Sequence, residues 1–237
     1  MFLEKFYSTH DKQILIEAQQ ASLFAKEIAG DFNPLHDPDS KRFCVPGDLL
    51  FSLVLLHYGL SRNMHFTFSG MVGHGVYLNF PETDAGSIDI TDDKGKTYLH
   101  IERRGPIIDD PELIKAFVNN YVAFSGPNFN VLVPLMAEQN VMINTERPLV
   151  IYESMSFEFA HMNFAHLSLE SSEPKFSYAG KRGDARLYFN IKDGSEIVGS
   201  GFKKMIISGI REYDREVIES FTAAYLARKD KYLAALK

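Results

Sequence analysis

The side chains best suited to chemistry in this chain crowd into one stretch, Gly30-Asp31-Phe32-Asn33-Pro34-Leu35-His36. A carboxylate and an imidazole this close can move a proton, hold a metal ion or simply satisfy a tight turn. A calcium loop is disfavoured, because Asp31 and Asn33 begin one but Leu35 takes the third ligand position and the turn glycine is missing. His36, Asp37 and Asp39 are hard ligands without a second cluster at ligand spacing, so no metal is assigned. The plain reading of the same residues is a turn: Asp, Asn and Pro form turns, and His36 can serve a neighbouring carbonyl.

The flanking patterns say what must position these groups. Ala18, Ala21, Ala25 and Ile28, with Phe24 beside them, recur at helical spacing until Gly30, so a helix leads straight into the polar loop. Gly47 to Leu60 reads as a second helix, apolar almost all round and therefore enclosed by other structure. Strand-like alternation follows at Val76, Leu78 and Phe80, at Ile88 and Ile90, and at Thr97, Leu99 and Ile101, with a turn at Asp92-Asp93-Lys94-Gly95.

The order then begins again. Asp110-Pro111 starts a helix with Ile114, Phe117, Val118 and Tyr121 on its stripe, and Ser125-Gly126-Pro127 ends it. A loop with Asn128 and Asn130 precedes a second apolar stretch, Val131 to Ile143. Strands follow at Met155, Phe157 and Phe159 and at Leu187, Phe189 and Ile191, with a hairpin turn at Asp193-Gly194 before Ile197. Helix, glycine, loop, apolar helix and strands thus occur twice, about 96 residues apart when Gly30 is laid on Gly126. From Glu212 a last helix carries Val217, Phe221, Ala224 and Tyr225 on one stripe, expected to pack on its own chain.

Bulk properties narrow the function classes. With 45% hydrophobic and 24% charged residues, the 237-residue chain is that of a folded protein. A net charge of −6 without a Lys/Arg cluster argues against nucleic-acid binding. The longest greasy stretch, Leu49 to Leu60, is interrupted by polar residues and is short of the roughly 20 residues of a membrane span. Cys44 is the single cysteine, so no intrachain disulfide forms; it reads as a small buried thiol. The N-terminal MFLEKFYSTHDK lacks a signal-peptide core, and a cytoplasmic protein is expected. Gly70, Gly73 and Gly75 lack the nucleotide-loop fingerprint, and His57 and His74 read as structural.

The seven residues Gly30 to His36, followed by Gly47 at the head of an apolar helix with Ser52 inside it, resemble the MaoC-like hotdog dehydratases. In particular they are similar to the (R)-specific enoyl-CoA hydratases, whose signature Gly-Asp-x-Asn-Pro-aliphatic-His is met without mismatch. The resemblance implies an α+β tandem (double) hotdog, each half a curved antiparallel sheet wrapped around a central apolar helix. Residues 1–108 would form an N-terminal hotdog carrying the motif, 109–211 a degenerate C-terminal hotdog, and 212–237 an amphipathic helix. It further implies a hydro-lyase acting on an acyl thioester such as an enoyl-CoA or 3-hydroxyacyl-CoA. Asp31 and His36 would be catalytic, gripping a water and exchanging its proton. The Gly47 N–H would receive the thioester oxygen; Asn33 would support the loop or line the pocket, and Ser52 would hydrogen-bond within the site. No cofactor is implied; coenzyme A or an acyl carrier comes only as part of the substrate. The alternatives are a non-catalytic acyl-thioester or ligand-binding hotdog protein, and a scaffold associating through the tail helix. Pairing of two chains as a homodimer stays open.

The sequence departs from the family pattern in places. Only ten residues separate His36 from Gly47, so the connection takes a shortened path. Pro46 stands where the family often has His, and the Asp48 carboxylate would oppose negative charge unless it points to solvent. Gly126-Pro127-Asn128 has no histidine, so the second half supplies no second catalytic pair. Arg103 and Arg104 could meet phosphates, although exposed arginines are more often plain solvated charge.

Overall fold

The computed structural model describes residues 2–235. In chain order its elements are β1 (Ser8–His10), β2 (Gln13–Leu15), α1 (Ala18–Glu27), α2 (Gly47–Tyr58), β3 (Leu60–Phe68), β4 (Tyr77–Asn79), β5 (Ser87–Thr91) and β6 (Thr97–Ile108). The second half has α3 (Pro111–Ser125), α4 (Phe129–Glu138), β7 (Val141–Met142), β8 (Leu149–Phe159), β9 (Leu167–Ser171), β10 (Lys175–Ala179), β11 (Arg182–Asp193), β12 (Glu196–Ser208), β13 (Arg211–Glu212) and α5 (Arg215–Ala235). The main sheet runs β1-β2-β4-β5-β6-β3-β8-β12-β11-β10, with β9 also on β11 and every pairing antiparallel. Strands of the two halves meet where β3 pairs with β8, so a single sheet serves both. This is the expected α+β double hotdog, an antiparallel sheet around enclosed helices.

The greasy helix is enclosed as its composition demands: Asp48 through Leu55 are all buried. Phe51 meets the rings of Phe66, Phe117 and Tyr121 at centroid separations of 5.2, 6.5 and 4.5 Å, which ties α2 to β3 and α3. Rings of this size bury the most apolar area per residue, so truncating Phe51 to alanine would cost about 3–5 kcal/mol. The helix stops at Tyr58, two residues short of the expected end, because Gly59 adopts φ +75° and turns the chain into β3. β3, β9 and β10 were not legible as strands from the alternation above.

The repeat holds in order but not in use. The helix enclosed beside α2 is α3, whose Phe117 and Tyr121 pack on Phe157 and Phe189. The apolar stretch aligned with α2 is α4, which contains Pro134, ends at Glu138 and buries only Leu132 and Met136 fully. It closes a separate small core with Phe176, Leu187, Met205 and Ile207.

The tail helix begins at Arg215 and packs on its own chain; residues 236 and 237 lie outside the described residues. Its stripe differs from the expectation, since Ile218 and Tyr225 are buried while Val217 and Ala224 are exposed. No described helix is long and apolar enough to cross a membrane.

Candidate active site

The polar stretch is shaped by its own short side chains. The Asp31 N–H donates to the Ala25 carbonyl at 2.8 Å, which pins residue 31 to the end of α1. Asp31 Oδ1 accepts the Asn33 N–H at 2.8 Å, Asn33 Oδ1 accepts the Leu35 N–H at 3.1 Å, and Pro34 opens a single 3₁₀ turn that ends at His36. The shortened path to Gly47 closes on the same turn. The Cys44 N–H donates to the Leu35 carbonyl at 3.0 Å, and the Val45 N–H to Val72 at 2.9 Å. The turn-forming and chemical readings of these residues are therefore compatible: the turn uses Oδ1 and leaves Oδ2.

Asp31 Oδ2 lies 3.4 Å from His36 Nε2, and both side chains are mostly enclosed. The other ring nitrogen, Nδ1, sits 2.7 Å from the Cys44 carbonyl oxygen. A carbonyl only accepts, so Nδ1 carries the hydrogen and Nε2 of the neutral ring is an acceptor facing a second acceptor. Two converging acceptors are reconciled by a proton held between them, or by a water donating to both. Burial pulls the imidazole pKa down, but the Asp31 carboxylate and the Cys44 carbonyl outweigh it, with Asp48 adding to them, so the net shift is upward.

Asp31, Asn33, His36 and Gly47 all line one cavity of 320 Å³ between the two halves. The first half contributes this loop, Leu50 and the end of β3 at Phe68. The second contributes Gly126 to Leu132, Leu149 to Tyr152, Lys203 and Met205. A side chain at Gly47 would force the cavity wall to shift, since a Cβ there would stand 2.8 Å from the Tyr152 ring and 3.1 Å from that of Phe68. A wider trough of 740 Å³, lined by residues that include Asn63, His65, Arg104 and Tyr188, involves none of the motif residues.

A second polar group forms part of the cavity wall. Asp48 is 6% exposed and does not point to solvent, as the sequence alone would have required of it; its Oδ1 and Oδ2 accept from Ser125 Oγ at 2.7 and 2.9 Å. Lys203, 2% exposed, donates to the Ser125 Oγ at 2.6 Å and to the Ser125 carbonyl at 3.1 Å. Its ammonium also lies 4.1 Å from the centre of the Tyr152 ring, and the Tyr152 and Tyr121 hydroxyls bond to each other. Burial pushes the Asp48 carboxyl up and the Lys203 ammonium down, each partly offset by the other's charge. Sequence reasoning saw the anion at Asp48 and missed its counter-charge, which stands 155 positions along the chain on β12.

Other expectations are corrected. Ser52 does not reach the cavity: it is wholly buried and its hydroxyl donates at 2.6 Å to the Asp48 carbonyl one turn back. Arg103 is not an exposed cation for phosphates: it is 5% exposed, and its guanidinium donates to the carbonyls of Tyr58, Thr83 and Ala85. Cys44 is half-buried on the cavity wall, and burial pushes its thiol up to about 12. His57 and His74 stay outside the cavity, against Phe80 and Phe43.

The tail helix bears on the loop. The Phe32 N–H donates to the Tyr225 hydroxyl at 3.1 Å, the Tyr225 ring packs against Phe32 and Phe129, and Arg228 pairs with Asp37. Burial and the nearby Asp31 carboxylate push the Tyr225 hydroxyl up to about 12.

Comparison with protein families finds a match over residues 1–216 to the family described as "Protein of unknown function (DUF3581)". The chain belongs to this family. The DUF3581 match covers both halves of the sheet and every cavity residue named above, and ends as α5 begins. No curated protein matches. Among solved structures, an acyl-CoA thioesterase II from Mycobacterium marinum is 13% identical over 71% of this chain and 90% of its own, with a TM-score of 0.41. A MaoC-like dehydratase is 10% identical over 86% and 98%, at 0.43. A protein described as having a hot dog fold, from Alicyclobacillus acidocaldarius, is 7% identical over 88% and 98%, at 0.38. Likenesses at these scores carry no argument, and the fold rests on the sheet and helices themselves.

Proposed function

We propose that the protein is a hydro-lyase that adds water to, or removes it from, an acyl thioester such as an enoyl-CoA, with Asp31 and His36 as its acid–base pair. One observation carries the reading: two acceptors, Asp31 Oδ2 and His36 Nε2, converge at 3.4 Å on the wall of a cavity that also contains the first residue of an enclosed helix. A water donating one hydrogen to each would be held with its oxygen directed at the substrate. As that oxygen bonds to C3 of an enoyl thioester, one water proton passes to the pair and the double-bond electrons move onto the thioester oxygen. The Gly47 N–H, in the first turn where helix donors lack intrahelical partners, would receive this charge. The pair then returns a proton to C2, so that H and OH have added across the bond and nothing else is consumed. Coenzyme A or an acyl carrier belongs to the substrate, and no other cofactor is called for.

The test is the loss of enoyl absorbance when purified protein meets crotonyl-CoA. Asp31→Asn and His36→Ala are each expected to lower the rate by about 10²–10⁴-fold. If acyl-CoA raises the melting temperature but nothing turns over in either direction, the binding-protein reading replaces the enzyme.

A further inference from the structure

Asp48 and Lys203, joined behind the surface by Ser125, make an unusual wall for a largely apolar cavity. Two opposite charges, each enclosed, face one hydroxyl that has a single hydrogen. Ser125 donates it to the carboxylate and accepts from the ammonium, the arrangement a charged carboxylate and a charged ammonium require. Taking such a pair out of water costs several kcal/mol per ion, and a well-packed apolar pair of similar volume is often as stable or more so. Stability alone is thus a poor reason for the pair, whereas a site that must receive negative charge is a good one.

Charge says which member meets the substrate oxygen. Asp48 and Lys203 both line the cavity, Ser125 does not, and of the two only the ammonium attracts a growing negative charge, the Asp48 oxygens being turned to Ser125 Oγ. Two of the ammonium's three N–H groups are taken by Ser125, which leaves one for an acceptor in the cavity. A Cβ at Gly47 would stand 2.8 Å from an edge of the Tyr152 ring that the ammonium faces, so the helix N-terminus and the ammonium lie beside one side chain of the wall. Asp31 and His36 line the same cavity, and the Asp31 charge is felt at Lys203.

We infer that Lys203 is a further catalytic residue, its ammonium receiving the thioester oxygen together with the Gly47 N–H, while Asp48 and Ser125 are positioning residues that hold it. The inference rests on the proposed acyl-thioester chemistry but not on the hydration step. The resting wall is electroneutral, and the charge that grows on the substrate oxygen meets a cation already desolvated and oriented.

The experiment uses the full chain carrying Lys203→Met together with Asp48→Asn, which removes both charges at near-constant volume and leaves no orphaned ion. Two probes are read: crotonyl-CoA hydration, and the enolate absorbance of bound acetoacetyl-CoA, which needs no turnover. We expect the double variant to melt at or above the wild-type temperature, to keep KM within about threefold and to lose about 10²–10³-fold in kcat. The enolate band present on wild type should vanish in the double variant, and in Asp48→Asn alone it should weaken without vanishing, because the ammonium remains but has lost its counter-charge. A folded double variant that retains kcat or the enolate band overturns the inference. So does an Asp48→Asn variant that loses the band as completely as the double. If the wild type hydrates nothing yet shows an enolate band that the double variant lacks, the hydratase reading falls and Lys203 stands. A wild type that neither hydrates crotonyl-CoA nor shows the band overturns both.

Discussion

Replacing Gly126 with alanine would put a methyl carbon 1.8 Å from the carbonyl oxygen of Ala29 and 2.6 Å from its carbon. Ordinary contact begins at 3.4 Å, so the two backbones must part by about 1.6 Å, and neither clashing atom belongs to a side chain that can swing aside. Overpacking of well-ordered structure costs about 1–3 kcal/mol, and a rigid backbone partner places this case at the upper end. For a chain of this size that is a fall in melting temperature of about 2–4 °C per kcal/mol. The strain would not stay local. Ala29 is two residues from Asp31, and Gly126 itself lines the cavity. A displacement near 1 Å of a reacting group costs about 10²-fold in rate. Denaturant unfolding and crotonyl-CoA kinetics on Gly126→Ala measure the two effects separately. A variant as stable as the wild type would refute the close approach of the two halves. One that is destabilised yet retains full kcat would refute its coupling to the acid–base pair.

Three further outcomes follow from the geometry. The folded His36 pKa lies above the ordinary 6.5, so its stabilising contribution is complete below about pH 6.5 and is lost as pH climbs through the folded value. Imidazole NMR titration should show this, and Asp31→Asn should bring the pKa down because burial then meets less opposition. Tyr225→Phe leaves the Phe32 N–H without its acceptor, which should cost about 1–2 kcal/mol and speed amide exchange at Phe32; unchanged protection there would mean that α5 does not hold the loop. Arg103→Met strips three carbonyls of their donor and should cost about 3–5 kcal/mol in denaturant unfolding while leaving kcat per folded molecule unaltered.

Some of this was written in short-range residue order. The turn Asp31 to His36, the helix of α2 and the hairpin at Asp193-Gly194 depend on neighbours a few positions apart, and each is formed as their spacing requires. Other elements hid behind stronger local signals. β3 follows the apolar helix with Gly59 alone between them, and its alternation at Met64, Phe66 and Phe68 is legible only once Gly59 is read as the helix stop. The approach of Gly126 to Ala29, the counter-charge of Lys203 on Asp48 and the docking of Tyr225 on Phe32 join residues 97 to 193 positions apart.

The sequence by itself determined that an Asp–His pair would sit in a rigid turn ahead of an enclosed helix, because turn chemistry and helical periodicity act over a few residues. Only the tertiary structure decided what faces that pair. Which helix lies beside α2, which cation neutralises Asp48 and whether Ser52 reaches the cavity depend on how two halves of one sheet close on each other. Such packing selects partners by shape and charge in space, and spacing along the chain carries no record of it.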